Sequence, residues 1–149
     1  MPVGDICVRE VVTATRETTI QEAARLMREN HVGDLLVLDH TKGNRKPVGI
    51  VTDRDIVVAI VALGLDPSVL TAGDIMGPEL ETAPDDQGVF ETISQMRRAG
   101  VRRIPVVNKQ GYLVGIISID DLIQLLAEEM GELAKLISRE QRKEAHARR

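Results

Sequence analysis

The sequence predicts an α/β (α+β) fold: two β-α-β-β-α repeats packed sheet to sheet with pseudo-twofold symmetry, plus an extended C-terminal helix. Two observations carry this. First, the chain of 149 residues is written twice: a shift of 69 residues aligns 5–39 with 74–108 at 10 identities in 35 positions. The match includes Asp5-Ile6 with Asp74-Ile75, Thr13-Ala14 with Thr82-Ala83, and Met27-Arg28 with Met96-Arg97. After a loop three residues longer in the first copy, an offset of 66 aligns Val48-Gly49-Ile50 with Val114-Gly115-Ile116 and Asp55 with Asp121. Second, each copy runs through the same alternation of helical and extended periods. Two copies are too few for a solenoid, so they are expected to pack on each other.

Each copy opens with a short extended piece, residues 10–13 or 80–82. A helix follows, over 19–29 or 88–99, with Ile20, Ala23, Ala24, Leu26 and Met27 at helical spacing. Thr19 with Glu22 suits a capping box, and Asp85 or Asp86 can cap the second copy's helix. Two β-branched-rich strands come next, 32–38 with 48–51 and 103–107 with 113–117. Turn residues Lys42-Gly43-Asn44 and Lys109-Gln110-Gly111 separate them, so each pair reads as a hairpin. A second helix starts at Thr52 or Ser118. One copy of roughly 65 residues is marginal as an independent core, and burying both sheet faces together removes that difficulty. Pro67 and Gly73 mark the seam, which divides the chain into a first repeat at 5–69, a second at 70–130 and a helical extension with a charged tail at 131–149. Beyond Asp121 the helical period continues through Leu122, Ile123, Leu125, Leu126, Met130, Leu133, Leu136 and Ile137. Residues 135–149 carry six basic and two acidic groups; this reads either as a solvated helix end or as a tail for a partner or an anionic surface.

Composition narrows the function classes. Hydrophobic residues make up 43% and charged residues 28%, the balance of a globular protein. The net charge is −4 and the only aromatics are Phe90 and Tyr112, which argues against a nucleic-acid partner. The uncharged apolar stretch at 56–65 is too short to span a bilayer, and the N-terminus has no signal-peptide segment. Cys7 stands alone, which fits a reducing cytoplasm. His31, His40 and His146 form no ligand spacing with Cys7, so no metal site is expected. No phosphate-loop, dinucleotide or nucleophile-elbow motif is present.

Two equivalent segments stand out: Gly49-Ile50-Val51-Thr52-Asp53-Arg54-Asp55 and Gly115-Ile116-Ile117-Ser118-Ile119-Asp120-Asp121. A hydroxyl where strand becomes helix, with an acid three residues on, is what a helix N-terminus uses to satisfy its free N–H groups. The same geometry suits a nucleotide. The helix end favours a phosphate, the hydroxyl can donate to it, and the Asp can accept from ribose hydroxyls. The glycine lets a ligand or another backbone approach closely. Local sequence leaves both readings open.

These segments, the repeat order and the Arg103-Ile104-Pro105-Val106-Val107 strand together resemble a tandem pair of cystathionine-β-synthase (CBS) domains, a Bateman module, over residues 5 to about 130. The resemblance implies a stand-alone regulatory, energy-sensing module, not an enzyme. It would bind AMP, ADP, ATP or S-adenosylmethionine between the repeats, use no catalytic cofactor, form a homodimer and signal to an effector protein. Carried over residue by residue, it implies that Asp55 and Asp121 hold ribose and that Thr52 and Ser118 meet phosphate. Thr13, Thr15, Thr82 and Pro84 would line the adenine pocket, with strand residues including Val32, Asp34, Val101, Ile104 and Pro105. Arg103 would face a phosphate, with Arg54 and Arg102 as weaker candidates for the same role. The copies differ where the first has Asp34 and the second Arg103. Unequal sites are therefore expected, the pocket built on Ser118, Asp121 and Arg103 being the stronger for an anion and the Asp34 side suiting a cationic ligand such as S-adenosylmethionine. The alternatives are a scaffolding dimer with vestigial clefts and a small nucleotide-processing enzyme; the sequence offers the latter no evident nucleophile, base or metal set.

Overall fold

A computed structural model describes residues 1–41 and 43–148. The elements run α1 (Val3–Ile6), β1 (Thr13–Ala14), α2 (Ile20–Asn30), β2 (Asp34–Thr41), β3 (Asn44–Thr52), α3 (Asp53–Ile56), α4 (Ala72–Ile75), β4 (Ala83–Pro84), α5 (Val89–Ala99), β5 (Arg103–Val107), β6 (Leu113–Ser118) and α6 (Ile119–Ala147). A π-helical turn, Val57–Val61, prolongs α3. Two three-stranded sheets form, ordered β1-β2-β3 and β4-β5-β6. The first strand of each lies parallel to the second, Thr13 opposite Leu36 and Ala83 opposite Val106. β2 and β3 are antiparallel, with Leu35 opposite Val51 and a register shift at Val37/Leu38. The predicted turn residue Lys42 lies outside the described residues.

The chain divides into a body, Met1–Ile117, and a C-terminal segment from Ser118. In the body, Leu35 and Val37 of β2 and Val51 of β3 cluster with Ala23 and Met27 of α2; the intervening Leu36 and Leu38 of β2 are buried as well. Ala72 belongs to that same core, with Ile75 and Met76 packed against it. The short helix α4 opens the second copy in sequence, yet it packs into the first.

The exchange is reciprocal. The N–H groups of Ala72 and Gly73 donate to the carbonyls of Thr18 (2.8 Å) and Arg16 (2.9 Å). Subtracting 69 from the donors and adding it to the acceptors gives the partner set: Val3 to Gln87 (2.8 Å) and Gly4 to Asp85 (2.9 Å). Bridges Thr19 with Thr71 and Pro2 with Gly88 obey the same rule. So do the first N–H groups of the long helices, Ile20 to Leu70 (2.9 Å) and Val89 to Met1 (3.2 Å). Each repeat therefore caps the other's helix through backbone carbonyls.

This corrects two expectations. Neither Asp85 nor Asp86 caps α5: Gly88 is the N-cap and makes no side-chain bond. The extended pieces fall at Thr13–Ala14 and Ala83–Pro84, later than 10–13 and 80–82, because the residues before them leave α1 or α4 and cross between the repeats. Thr19 does cap α2, accepting from the Glu22 N–H at 3.2 Å. In turn Glu22 binds Arg25, so the return half of the box is replaced by an ion pair.

Candidate functional site

Both Gly-x-x-[Thr/Ser]-x-x-Asp segments form complete capping boxes. Thr52 N–H donates to Asp55 Oδ2 (2.9 Å) and Asp55 N–H to Thr52 Oγ1 (3.1 Å). Ser118 N–H donates to Asp121 Oδ2 (3.0 Å) and Asp121 N–H to Ser118 Oγ (3.2 Å). One carboxylate oxygen of each Asp is thereby used, and among the described contacts Oδ1 takes no partner. An ionised carboxylate accepts at both oxygens, so capping and ribose binding are compatible roles.

The glycines serve the chain itself. A Cβ on Gly115 would lie 2.5 Å from the Val8 carbonyl oxygen and 2.7 Å from Cys7 Sγ. One on Gly49 would meet Met76 Sδ at 2.6 Å. Met76 and Cys7 are equivalent positions, so the two glycines admit equivalent segments. Beyond them the copies diverge. Val8 bridges Ile116 with bonds of 2.9 Å in both directions. Among the described residues, the equivalent Gly77 makes no such bridge to Ile50.

A cavity of about 520 Å³ opens at that unpaired place. Ile50 and Thr52 of β3 form one wall; Gly77, Glu79, Leu80 and Glu81 form another; Ala99, Val101, Arg102 and Arg103 complete it. The first two residues belong to the first copy and the rest to the second. Of the predicted site residues, the cavity gathers Thr52, Val101, Arg102 and Arg103.

Asp34 stands beside it. Its Oδ2 lies 3.0 Å from Arg103 Nε, with both side chains mostly covered. These residues are equivalents under the 69-residue shift. A residue in contact with its own symmetry mate lies on the symmetry axis, so this ion pair marks the pseudo-twofold. Burial pushes the Asp34 carboxyl above the usual carboxylate range; Arg103 opposes the rise and Asp53 adds to it. Desolvation thus outweighs the ion pair, as it does for buried carboxylates whose partner does not fully replace water.

The other predicted residues lie elsewhere. Thr82 and Pro84 line an adjoining depression of about 450 Å³, which shares Glu81 and Ala99 with the first. There Gln95 donates to Glu81 Oε2 (2.8 Å) and to the Thr82 carbonyl (2.9 Å), fixing the Glu81 side chain at the boundary. Thr13 pairs with Leu36, and Thr15 is tied to Thr18 through its N–H at 3.0 Å. Val32 packs against the first core, Arg54 is exposed, and Ile104 and Pro105 are buried in the second sheet. Ser118 and Asp121 open α6, in the C-terminal segment. Within the body, Arg103 lies with Thr52 in the cavity and against Asp34. The acids Glu79 and Glu81 were not anticipated, since nothing in their local pattern separates them from a solvated linker. Among the described residues no group of three His, Cys, Asp or Glu converges as a metal site, and no helix is long and apolar enough to cross a membrane.

A duplicated β-α-β-β-α unit with swapped short helices, two capped motifs and a cleft between copies defines a paired-repeat module. The chain belongs to the CBS domain family, which it matches over residues 3–62 and 72–128. It is similar to an uncharacterized protein of Methanopyrus kandleri, 34% identical over 123 residues, 83% of this chain and 61% of that relative. Among solved structures it is similar to a CBS domain protein of Pyrobaculum aerophilum complexed with AMP, at 31% identity and TM-score 0.73, covering 86% of this chain and 99% of that one. It is also similar to the CBS domain pair of protein MJ0100 in complex with 5'-methylthioadenosine and S-adenosyl-L-methionine, at 28% identity and TM-score 0.71, covering 85% and 99%.

Proposed function

We propose that this chain is a regulatory module that binds an adenosine ligand in the cleft between its repeats and conveys occupancy to a partner protein. The observation that carries the reading is the cavity at Thr52 and Arg103, one wall from each repeat. Its volume of about 520 Å³ is within the range of small-molecule sites. A hydroxyl and two guanidinium groups suit a phosphate, Glu79 and Glu81 suit sugar or amino donors, and Ile50, Leu80 and Val101 offer an apolar bed for a base. The AMP and S-adenosylmethionine complexes of similar structures support the ligand class.

The proposed signal follows from the axial ion pair. A phosphate that takes the Arg103 guanidinium competes with Asp34. Occupancy then changes the contact on the pseudo-twofold axis and shifts the population of relative repeat packings. A homodimer belongs to the same reading, because Val57, Val58 and Val61 leave an apolar face of the first repeat exposed.

Thermal melting with AMP, ADP, ATP, S-adenosylmethionine and NAD tests it. A ligand at 100 times its Kd adds about 2.7 kcal/mol, roughly a 5–10 °C rise for a chain of this size. The rise is expected for at least one adenosine ligand and is expected to vanish in Arg103→Ala or Thr52→Val. Absence of any shift with all five ligands refutes the reading.

A further inference from the structure

The second copy carries a chain of polar side chains where the first is apolar. Under the 69-residue shift, Glu81, Thr92 and Gln95 answer to Val12, Ala23 and Leu26. Ala23 belongs to the first core, and Val12 and Leu26 pack against it, so the fold does not require polar groups at these positions.

The bonds of this chain run from the interior to the cleft. Thr92, fully buried on α5, donates to the Gly88 carbonyl (2.9 Å) and accepts from Gln87 Nε2 (2.9 Å). Gln87 Nε2 also donates to Gln95 Oε1 (2.9 Å). Gln95 Nε2 donates in turn to Glu81 Oε2 (2.8 Å) and to the Thr82 carbonyl (2.9 Å). The Gln95 amide has one orientation: turned over, its oxygen would face the Glu81 carboxylate and the Thr82 carbonyl, both acceptors. An exposed glutamate side chain is ordinarily free to rotate. This one is fixed in the wall shared by the cavity and the adjoining depression. Among the described contacts its Oε1 takes no partner.

Thr52, Arg102 and Arg103 make the anion-binding end of the proposed cleft, and a carboxylate repels phosphate, so Glu81 faces an uncharged part of the ligand. The ribose already has the Asp55 carboxylate as its candidate acceptor, which leaves the base. A carboxylate only accepts, so it favours an amino group and repels a ring carbonyl oxygen. We infer that Glu81, positioned by Gln95, accepts from the 6-amino group of the ligand's base and makes the cleft prefer a 6-aminopurine to a 6-oxopurine. The inference rests on the adenosine-binding reading above and names what sets its base specificity.

Titration calorimetry of the full chain with AMP and IMP, which differ at the 6-position, tests it. Wild type is expected to bind AMP at least about tenfold more tightly than IMP. In Glu81→Gln the side-chain amide can turn its N–H toward the carbonyl oxygen. The preference is then expected to fall toward equality, mainly because IMP gains affinity. Gln95→Leu, which installs the first copy's residue, is expected to reduce the preference by freeing Glu81. The double variant Glu81→Val with Gln95→Leu writes the whole apolar pair of the first copy into the second. Its urea midpoint is expected to match or exceed wild type while the preference is lost, a split that a purely structural role would not give. An unchanged preference in Glu81→Gln, or equal losses of AMP and IMP affinity there, would overturn the inference. Equal binding of AMP and IMP by wild type would overturn it and leave the adenosine reading standing. Wild type that binds neither would overturn it as well, and the melting panel above then decides the adenosine reading separately.

Discussion

Asp34 and Arg103 hold each other at 3.0 Å beside the cleft proposed for the ligand. An anionic ligand meets one attractive and one repulsive group there, and removing the carboxylate leaves the attraction alone. Asp34→Asn is therefore expected to tighten AMP or ATP binding roughly tenfold, about 1.4 kcal/mol, and to weaken S-adenosylmethionine, both read by titration calorimetry. Loss of affinity for both kinds of ligand would show that the ion pair builds the site instead of gating it. The same carboxyl has a pH signature. Because folding raises its proton affinity, its contribution to stability is present below the unfolded value and is lost as pH rises through the higher folded one. Wild type is expected to lose stability relative to Asp34→Asn from about pH 4 upward, as seen in denaturant midpoints at stepped pH. Asp55 and Asp121 need two readouts. Each is expected to lose about 1 kcal/mol as Ala through its capping box, ligand or no ligand. Any additional fall in the ligand-induced melting shift then reports ribose contact. The capping geometry was legible in the sequence because hydroxyl and acid lie three residues apart. The Asp34–Arg103 contact was not, because two residues 69 apart declare no spacing of their own.

At the scale of elements, the long helices and the inner strands were read from their periods, while α1 and α4, four residues each, are too short to have one. Their role shows instead in the glycines they press against or contain. A Cβ on Gly4 would lie 2.7 Å from the Asp85 carbonyl oxygen, and one on Gly115 2.5 Å from that of Val8. Backbone cannot yield as a flexible side chain can. Gly115→Ala is expected to cost about 2–4 kcal/mol in urea unfolding and Gly49→Ala, which meets the flexible thioether of Met76, clearly less. Equal costs would contradict the close approach. The helix ends make a second comparison. Gly100 closes α5 with φ 68°, and its equivalent His31 closes α2 with φ 54°. A left-handed backbone strains any residue with a Cβ, so His31→Gly is expected to raise stability by about 1 kcal/mol.

For the molecule as a whole, the repeat announced two like halves, but sequence comparison finds resemblance and not contact. It could not show that each half's opening helix serves the other. Every exchanged bond described above joins the two copies in both directions, Val3 to Gln87 answered by Ala72 to Thr18. Such reciprocity is how two identical protomers grip each other, here joined end to end in a single polypeptide. The linker at Gly64, exposed on the surface, is thus a tether that lies ahead of the exchanged contacts, which begin at the Pro67 carbonyl accepting from the Gln21 N–H (3.0 Å). Severed there, the two pieces would still possess every handle by which they grasp one another, and would have lost only the proximity that lets them meet at once.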